Sequence, residues 1–161
     1  MRRFWRHVFA PSAAAAFPVA SLERIAAAIR AAENRHGGQI CFAVESSLSW
    51  GALWRRQSAR ARAEDVFAQL RVWDTAANNG VLIYLLLAEH RIELVADRGL
   101  TVDVEHWGGI CARMAERLRA GRYEEAALEA VAATSELLAA SFPRGAGDVP
   151  GNELPDRPTL L

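Results

Sequence analysis

Oxygen-bearing side chains gather at two points where apolar runs begin and end. Asp74, Asn78 and Asn79 stand just before Gly80 and the eight-residue apolar run Val81–Ala88. Asp97 closes an alternating run that begins at Arg91, and Asp103 follows it closely. Hard cations take carboxylate, amide and carbonyl oxygens, so these five residues are the candidates for a Ca2+ or Mg2+ site. Arg71 and Arg98 flank the same segments and are the candidate anion-binding groups, because a guanidinium matches carboxylate or phosphate bidentately. The competing role is local: Asp and Asn in loops bond to nearby backbone and build turns, and an Asp ahead of a helix caps it.

Other chemistries find less support. Ser46, Ser47 and Ser49 lie in no G-x-S-x-G elbow, and the chain has no P-loop and no G-x-G-x-x-G. His106 and Asp103 share one helix face, but two residues do not make a zinc site. Cys41 and Cys111 each sit in an apolar run outside any metal or C-x-x-C spacing, which predicts buried thiols in a reducing compartment. Glu45-Ser46-Ser47 and Glu89-His90 fall at the opposite end from the acidic set. Glu89-His90 reads as a solvated turn, and His7 and His36 as surface residues.

All nineteen basic residues are arginine, balanced by nineteen acidic ones. A net charge of zero leaves the chain without an electrostatic footprint for nucleic acid. Arg55, Arg56, Arg60 and Arg62, with Trp50 and Trp54 nearby, form the one basic cluster. Phosphate or RNA binding there competes with a self-paired helix face in which Arg60 and Glu64 make an i,i+4 pair.

The elements that must position these residues follow from periodicity. Leu22, Ile25, Ile29 and Ala32 predict a helix from Leu22 to His36, capped by Ser21 and ended by Gly37-Gly38. Ile40–Val44 reads as a buried strand. A second helix is expected over Leu53–Leu70, followed by a loop over residues 71–79. Val81–Ala88 is apolar without alternation, as in a strand covered on both faces. Arg91–Asp97 alternates, as in a strand nearer an edge. Helices over Val104–Ala120 and Tyr123–Phe142 complete the order. The long connection from Val44 to Val81 contains a helix, so those strands run parallel, and the next strand turns back antiparallel. The expected architecture is α/β: a small mixed sheet between helical layers, an α/β/α sandwich. In that topology the loop before Gly80 and the exit at Asp97 share one rim.

One domain is expected over residues 17–143, with an N-terminal arm over 1–16 and an extended tail over 144–161. The start, Met1-Arg2-Arg3-Phe4-Trp5-Arg6-His7, has the charge of a signal peptide without its apolar stretch, and no run approaches the ~20 residues of a membrane span. A cytoplasmic protein without a transmembrane segment is the expectation. The arginine-aromatic start is suited to touching a membrane surface.

Asn79-Gly80-Val81-Leu82-Ile83, followed by Val95-Ala96-Asp97-Arg98-Gly99-Leu100, resembles the hairpin of the TPM domain family. The helix from Ile25 that ends at His36-Gly37-Gly38, and Trp107 after the hairpin, also look like that family. The resemblance spans roughly residues 17–143. It implies an α/β/α sandwich, divalent metal binding for several members and phosphatase activity proposed for plant members. Two departures remove carboxylates: Asn78 where relatives often carry an acid, and Gln39 where they have Gly-Glu. The resulting expectation is an accessory domain that binds a protein partner or an ion. The alternative is a divalent-metal-dependent phosphatase of low activity.

Overall fold

The computed structural model describes residues 2–101, 104–145 and 151–161. In chain order the elements are α1 (Arg2–Val8), α2 (Ala13–Ala16), α3 (Val19–Glu33), β1 (Gln39–Glu45), α4 (Trp50–Trp54) and α5 (Ala59–Gln69). They continue as β2 (Gly80–Leu86), a short 3-10 turn (Leu87–Glu89), β3 (Arg91–Ala96), α6 (Val104–Arg119), α7 (Tyr123–Ser141) and β4 (Thr159–Leu160).

The sheet has the order β3-β2-β1-β4. β1 and β2 are parallel, with Gln39 opposite Gly80, and β2 and β3 are antiparallel, with Val81 opposite Ala96. Every residue of β1 and β2 is buried, which is why both lack a polar alternation. On one face Ile40, Phe42, Val44, Val81, Ile83, Leu85, Ile92 and Leu94 pack with Phe17, α3, α6 and α7. On the other, Cys41, Ala43, Leu82, Tyr84, Leu86 and Val95 pack with α4, α5, Val72 and Leu154. Helices thus cover both faces of a mixed sheet, the expected α/β/α sandwich. No helix among the described residues is long and apolar enough to cross a membrane.

Three local readings need correction. α3 starts at Val19, directly after Pro18, and Ser21 lies within it, donating its hydroxyl to Glu124 (2.5 Å). The helix expected over 53–70 is two helices. Arg56 takes a left-handed φ of 54° between them, and Ser49 and Ser58 each accept a capping N–H, from Ala52 and Ala61. The tail is also more than a surface strap. Thr159 and Leu160 pair in parallel with Ala43 and Val44, so β4 covers an edge that β1 would otherwise expose.

Candidate functional site

Backbone bonds tie three strand ends into one rim. The Asp97 N–H donates to the Gly80 carbonyl (2.9 Å) and the Gly99 N–H to the Asn78 carbonyl (3.1 Å), extending the β2/β3 ladder by two residues. From the other side, the Gln39 N–H donates to the Asn79 carbonyl (3.1 Å). Glycine is required twice here, since a Cβ on Gly80 would collide with the Val72 carbonyl and one on Gly99 with the Asn78 carbonyl. The approach of the loop to the strands is therefore backbone against backbone.

Asn79 and Asp97 are buried polar side chains of this rim, 4% and 8% exposed, beside Gln39 and Thr75, whose side chains are bonded. Asn79 donates Nδ2 to the Gly37 carbonyl (2.5 Å), and its N–H goes to Thr75 Oγ1 (3.1 Å). Its Oδ1 has no partner among the described residues. Asp97 Oδ1 accepts the Arg98 N–H (2.7 Å), and its Oδ2 is likewise without a partner. Two buried oxygen acceptors at one rim are left unpaired, an arrangement that costs stability unless a donor or cation meets them. Carrying the β2/β3 register on by two residues sets Asp97 opposite Gly80 and Arg98 opposite Asn79. Strand alternation therefore starts the Asn79 and Asp97 side chains toward opposite faces, and an ion shared by both would have to sit beyond the end of the ladder.

The remaining candidates separate. Asn78, at φ 50°, forms the turn. Asp74 is exposed and paired with Arg71 Nη2 (2.6 Å), whose guanidinium also lies over the Trp73 ring (5.7 Å). Both are thus engaged within their loop. Arg98 is exposed and makes no ion pair among the described residues. Asp103 and the side chain of His106 lie outside the described residues. Among the described residues no three His, Cys, Asp or Glu side chains form a metal-ligand group, so the donors at the rim are one buried carboxylate with amide and backbone oxygens.

Two further residues act at this end. The Ala76 N–H donates to Glu153 Oε2 (2.9 Å), bringing a tail carboxylate against the loop. Gln39 holds the same tail: its Oε1 accepts the Glu153 and Leu154 N–H groups (2.8 and 3.3 Å), and its Nε2 donates to the Gly151 carbonyl (2.8 Å). Nothing local in the sequence links Gln39 to residues so distant. The only hint was the apolar Leu154 within a Pro- and Gly-rich stretch.

At the opposite end the sequence misjudged exposure. Glu89 is not a solvated turn residue. It accepts bonds from Arg3 Nε (2.6 Å) and pairs with His7 Nε2 (3.0 Å), and although burial opposes ionisation, those two partners hold its carboxyl below the usual range. His7 is buried and takes the Leu48 N–H on Nδ1 (3.0 Å); at the rim end, His36, also expected at the surface, is fully buried. Glu45 is clamped by Arg62 (2.8 and 3.1 Å) and by the Tyr84 hydroxyl (2.5 Å), which makes Arg62 a structural partner. Cys41 is buried in β1, and that burial pushes its thiol up to about 12, far from nucleophilic use.

Residues 12–137 match the TPM domain. Among solved structures, the NMR structure of BA42 protein from the psychrophilic bacterium Bizionia argentinensis superposes with a TM-score of 0.75 at 24% identity, over 90% of this chain and 95% of that one. At that identity the likeness concerns the fold. A search of curated proteins gives no match. With more than half of its length matched and the hairpin rim intact, the chain belongs to the TPM domain family.

Proposed function

We propose that this chain is an accessory domain that binds a divalent cation at the rim formed by Asn78-Asn79-Gly80 and Asp97-Arg98-Gly99. The observation that carries the reading is the pair of buried oxygens without a partner among the described residues, Asn79 Oδ1 and Asp97 Oδ2. The donor chemistry is that of Ca2+ or Mg2+. Asp97 would supply the charged ligand and Asn79 the neutral one. Asp74 is half-exposed and committed to Arg71, so it would join only by releasing that pair.

Titration with CaCl2 or MgCl2, followed by NMR, tests this. The expected result is movement of the Asn79, Asp97 and Arg98 amides and a rise in melting temperature, both lost in Asp97→Asn. Rim amides that stay still in both titrations would remove the cation reading. Phosphate-ester hydrolysis is the second reading, favoured by exposed Arg98, which follows Asp97 in the chain and makes no ion pair among the described residues. There the cation would neutralise phosphoryl oxygens, and Arg98 would orient the ester. It requires metal-dependent hydrolysis of p-nitrophenyl phosphate that Arg98→Ala abolishes. Cation binding without hydrolysis leaves the accessory role alone.

A further inference from the structure

Six of the large exposed apolar side chains come from two short segments that touch. Phe4, Trp5, Val8 and Phe9 lie in and just after α1, and Trp50 and Trp54 lie on α4. Trp54 is 86% exposed and Phe9 77%. The rings are continuous: Trp5 stacks on Phe9 (5.8 Å), meets Phe4 edge-on (5.9 Å), and Phe4 packs on Trp50 (4.7 Å). Phe4 and Trp54 also line one notch of about 400 Å3 with Leu53, Arg3 and Arg56. A contiguous apolar patch of this kind on a folded domain marks a contact surface.

α1 cannot turn this face inward. Arg3 and His7, one helical turn apart, are both held by Glu89, and Arg3 also donates to the Gln57 carbonyl (2.5 Å). The polar side of the helix is therefore its inner side, and the aromatic side faces solvent.

The two segments that build the patch carry charge of one sign, and the acids that reach them from other segments, Glu89 and Asp65, are bonded to Arg3 and His7 and to Gln57. No acidic residue occurs in residues 1–22 or in residues 46–63, the two segments that build it, whereas the whole chain is neutral. Arg6, Arg55 and Arg56 are exposed and make no ion pair among the described residues. Trp and Phe flanked by arginine on a short amphipathic helix are the composition of segments that lie in a bilayer interface.

We infer that the α1–α4 face docks on an anionic lipid bilayer, with Trp5, Phe9 and Trp54 entering the headgroup region and Arg6, Arg55 and Arg56 meeting lipid phosphates. The notch beside Phe4 is lined by Phe4, Leu53 and Trp54 with Arg3 and Arg56; Arg3 is already held by Glu89 and the Gln57 carbonyl, which leaves Arg56 to meet a lipid phosphate. A second copy is a poorer fit, since pairing the patch with itself would oppose arginine to arginine. RNA is poorer too, because Trp5 and Phe9 already cover one face of each other and Val8 offers no stacking surface.

The test is co-sedimentation of the full chain with phosphatidylcholine vesicles, with and without phosphatidylglycerol, together with Trp emission. The expected result is binding and a blue shift with phosphatidylglycerol only, weakened by salt. Trp54→Ser with Phe9→Ser, both on the surface, should weaken binding roughly tenfold or more, as should Arg55→Glu with Arg56→Glu. Circular dichroism matching wild type confirms that the variants fold. Absence of vesicle binding overturns the inference, and so does binding that either double variant leaves unchanged. Patch-dependent dimerisation, or capture of a single-stranded oligoribonucleotide, without vesicle binding would reassign the face and overturn it equally.

Discussion

Docking of the C-terminal tail should weaken as pH rises, and Glu33 is the reason. Glu33 is only 7% exposed, at the end of α3, and accepts the Ile40 N–H (2.8 Å). Burial pushes its carboxyl up to about 7. The Ile40 N–H opposes that rise, the Asp156 carboxyl adds to it, and Arg144 lowers it slightly. Asp156 belongs to the tail, where Arg30 (3.5 Å) and Asn152 (3.1 Å) hold it. A free glutamate titrates near 4.5, so between pH 4.5 and about 7 the folded chain binds more protons than the unfolded one. The stabilisation is full below 4.5 and lost as pH rises through about 7. A midpoint moved that far corresponds to roughly 3 kcal/mol between the two ends of the window. Part of this acts on the tail alone, because undocking removes Asp156 and admits water. Amide exchange of Leu161, whose N–H donates to the Val44 carbonyl (2.8 Å), reads that opening directly. Its opening free energy should fall from pH 5 to pH 8. In Glu33→Gln, which keeps an oxygen for Ile40 and can donate to Asp156, it should be nearly flat. A Glu33→Gln variant with the wild-type slope, or wild-type protection that grows with pH, would refute the reasoning.

Gly80→Ala should cost about 3 kcal/mol or more in urea unfolding, because the new Cβ meets the Val72 carbonyl and backbone cannot yield as a side chain can. Gly108→Ala on α6 meets nothing within 4 Å and should be neutral or stabilising by up to about 1 kcal/mol, so equal losses at both positions would contradict the packing. Gln39→Glu forfeits the donation to the Gly151 carbonyl and sets a carboxylate against it. Leu154 amide protection should drop by about 1–2 kcal/mol, and unchanged protection would place the hold elsewhere. Cys41 should resist a thiol reagent at pH 8 in the native state and react on unfolding; fast native labelling would contradict its burial.

The sheet was readable because β1 and β2 carry uninterrupted apolar runs, and β3 alternates beside an edge. The long helical connection before Gly80 made β1 and β2 parallel, and the Glu89-His90 turn made β3 antiparallel. The same reasoning brought Asn78, Asn79 and Asp97 to one rim, since a strand start and its antiparallel neighbour's end must coincide. It could not separate Asp74 from them, because the Arg71–Asp74 pair depends on how one loop folds over three residues. It missed β4 because two residues of strand carry no periodicity; the strand exists only because β1 offers an edge and Gln39 fixes the approach. His7 and Glu89 looked exposed for a similar reason. Each is polar and lies outside a regular element's core, and only their mutual contact, with Arg3, removes them from water.

The two proposed surfaces lie at opposite ends of the β2–β3 hairpin. Asn79 and Asp97 flank its open end, whereas Glu89, which anchors α1, lies in its turn. Six to seven residues of strand separate them, roughly 20 Å along the sheet. A chain resting on a bilayer through α1 and α4 would therefore present the cation rim to the aqueous side. The rim lies within the residues that match the family, and α1 lies before them. Cation binding and vesicle binding should then be separable. Asp97→Asn should leave vesicle binding intact, and Trp54→Ser with Phe9→Ser should leave the rim amides responsive to the cation. Loss of both properties in either variant that still folds would mean that the two ends are coupled and would overturn their independence.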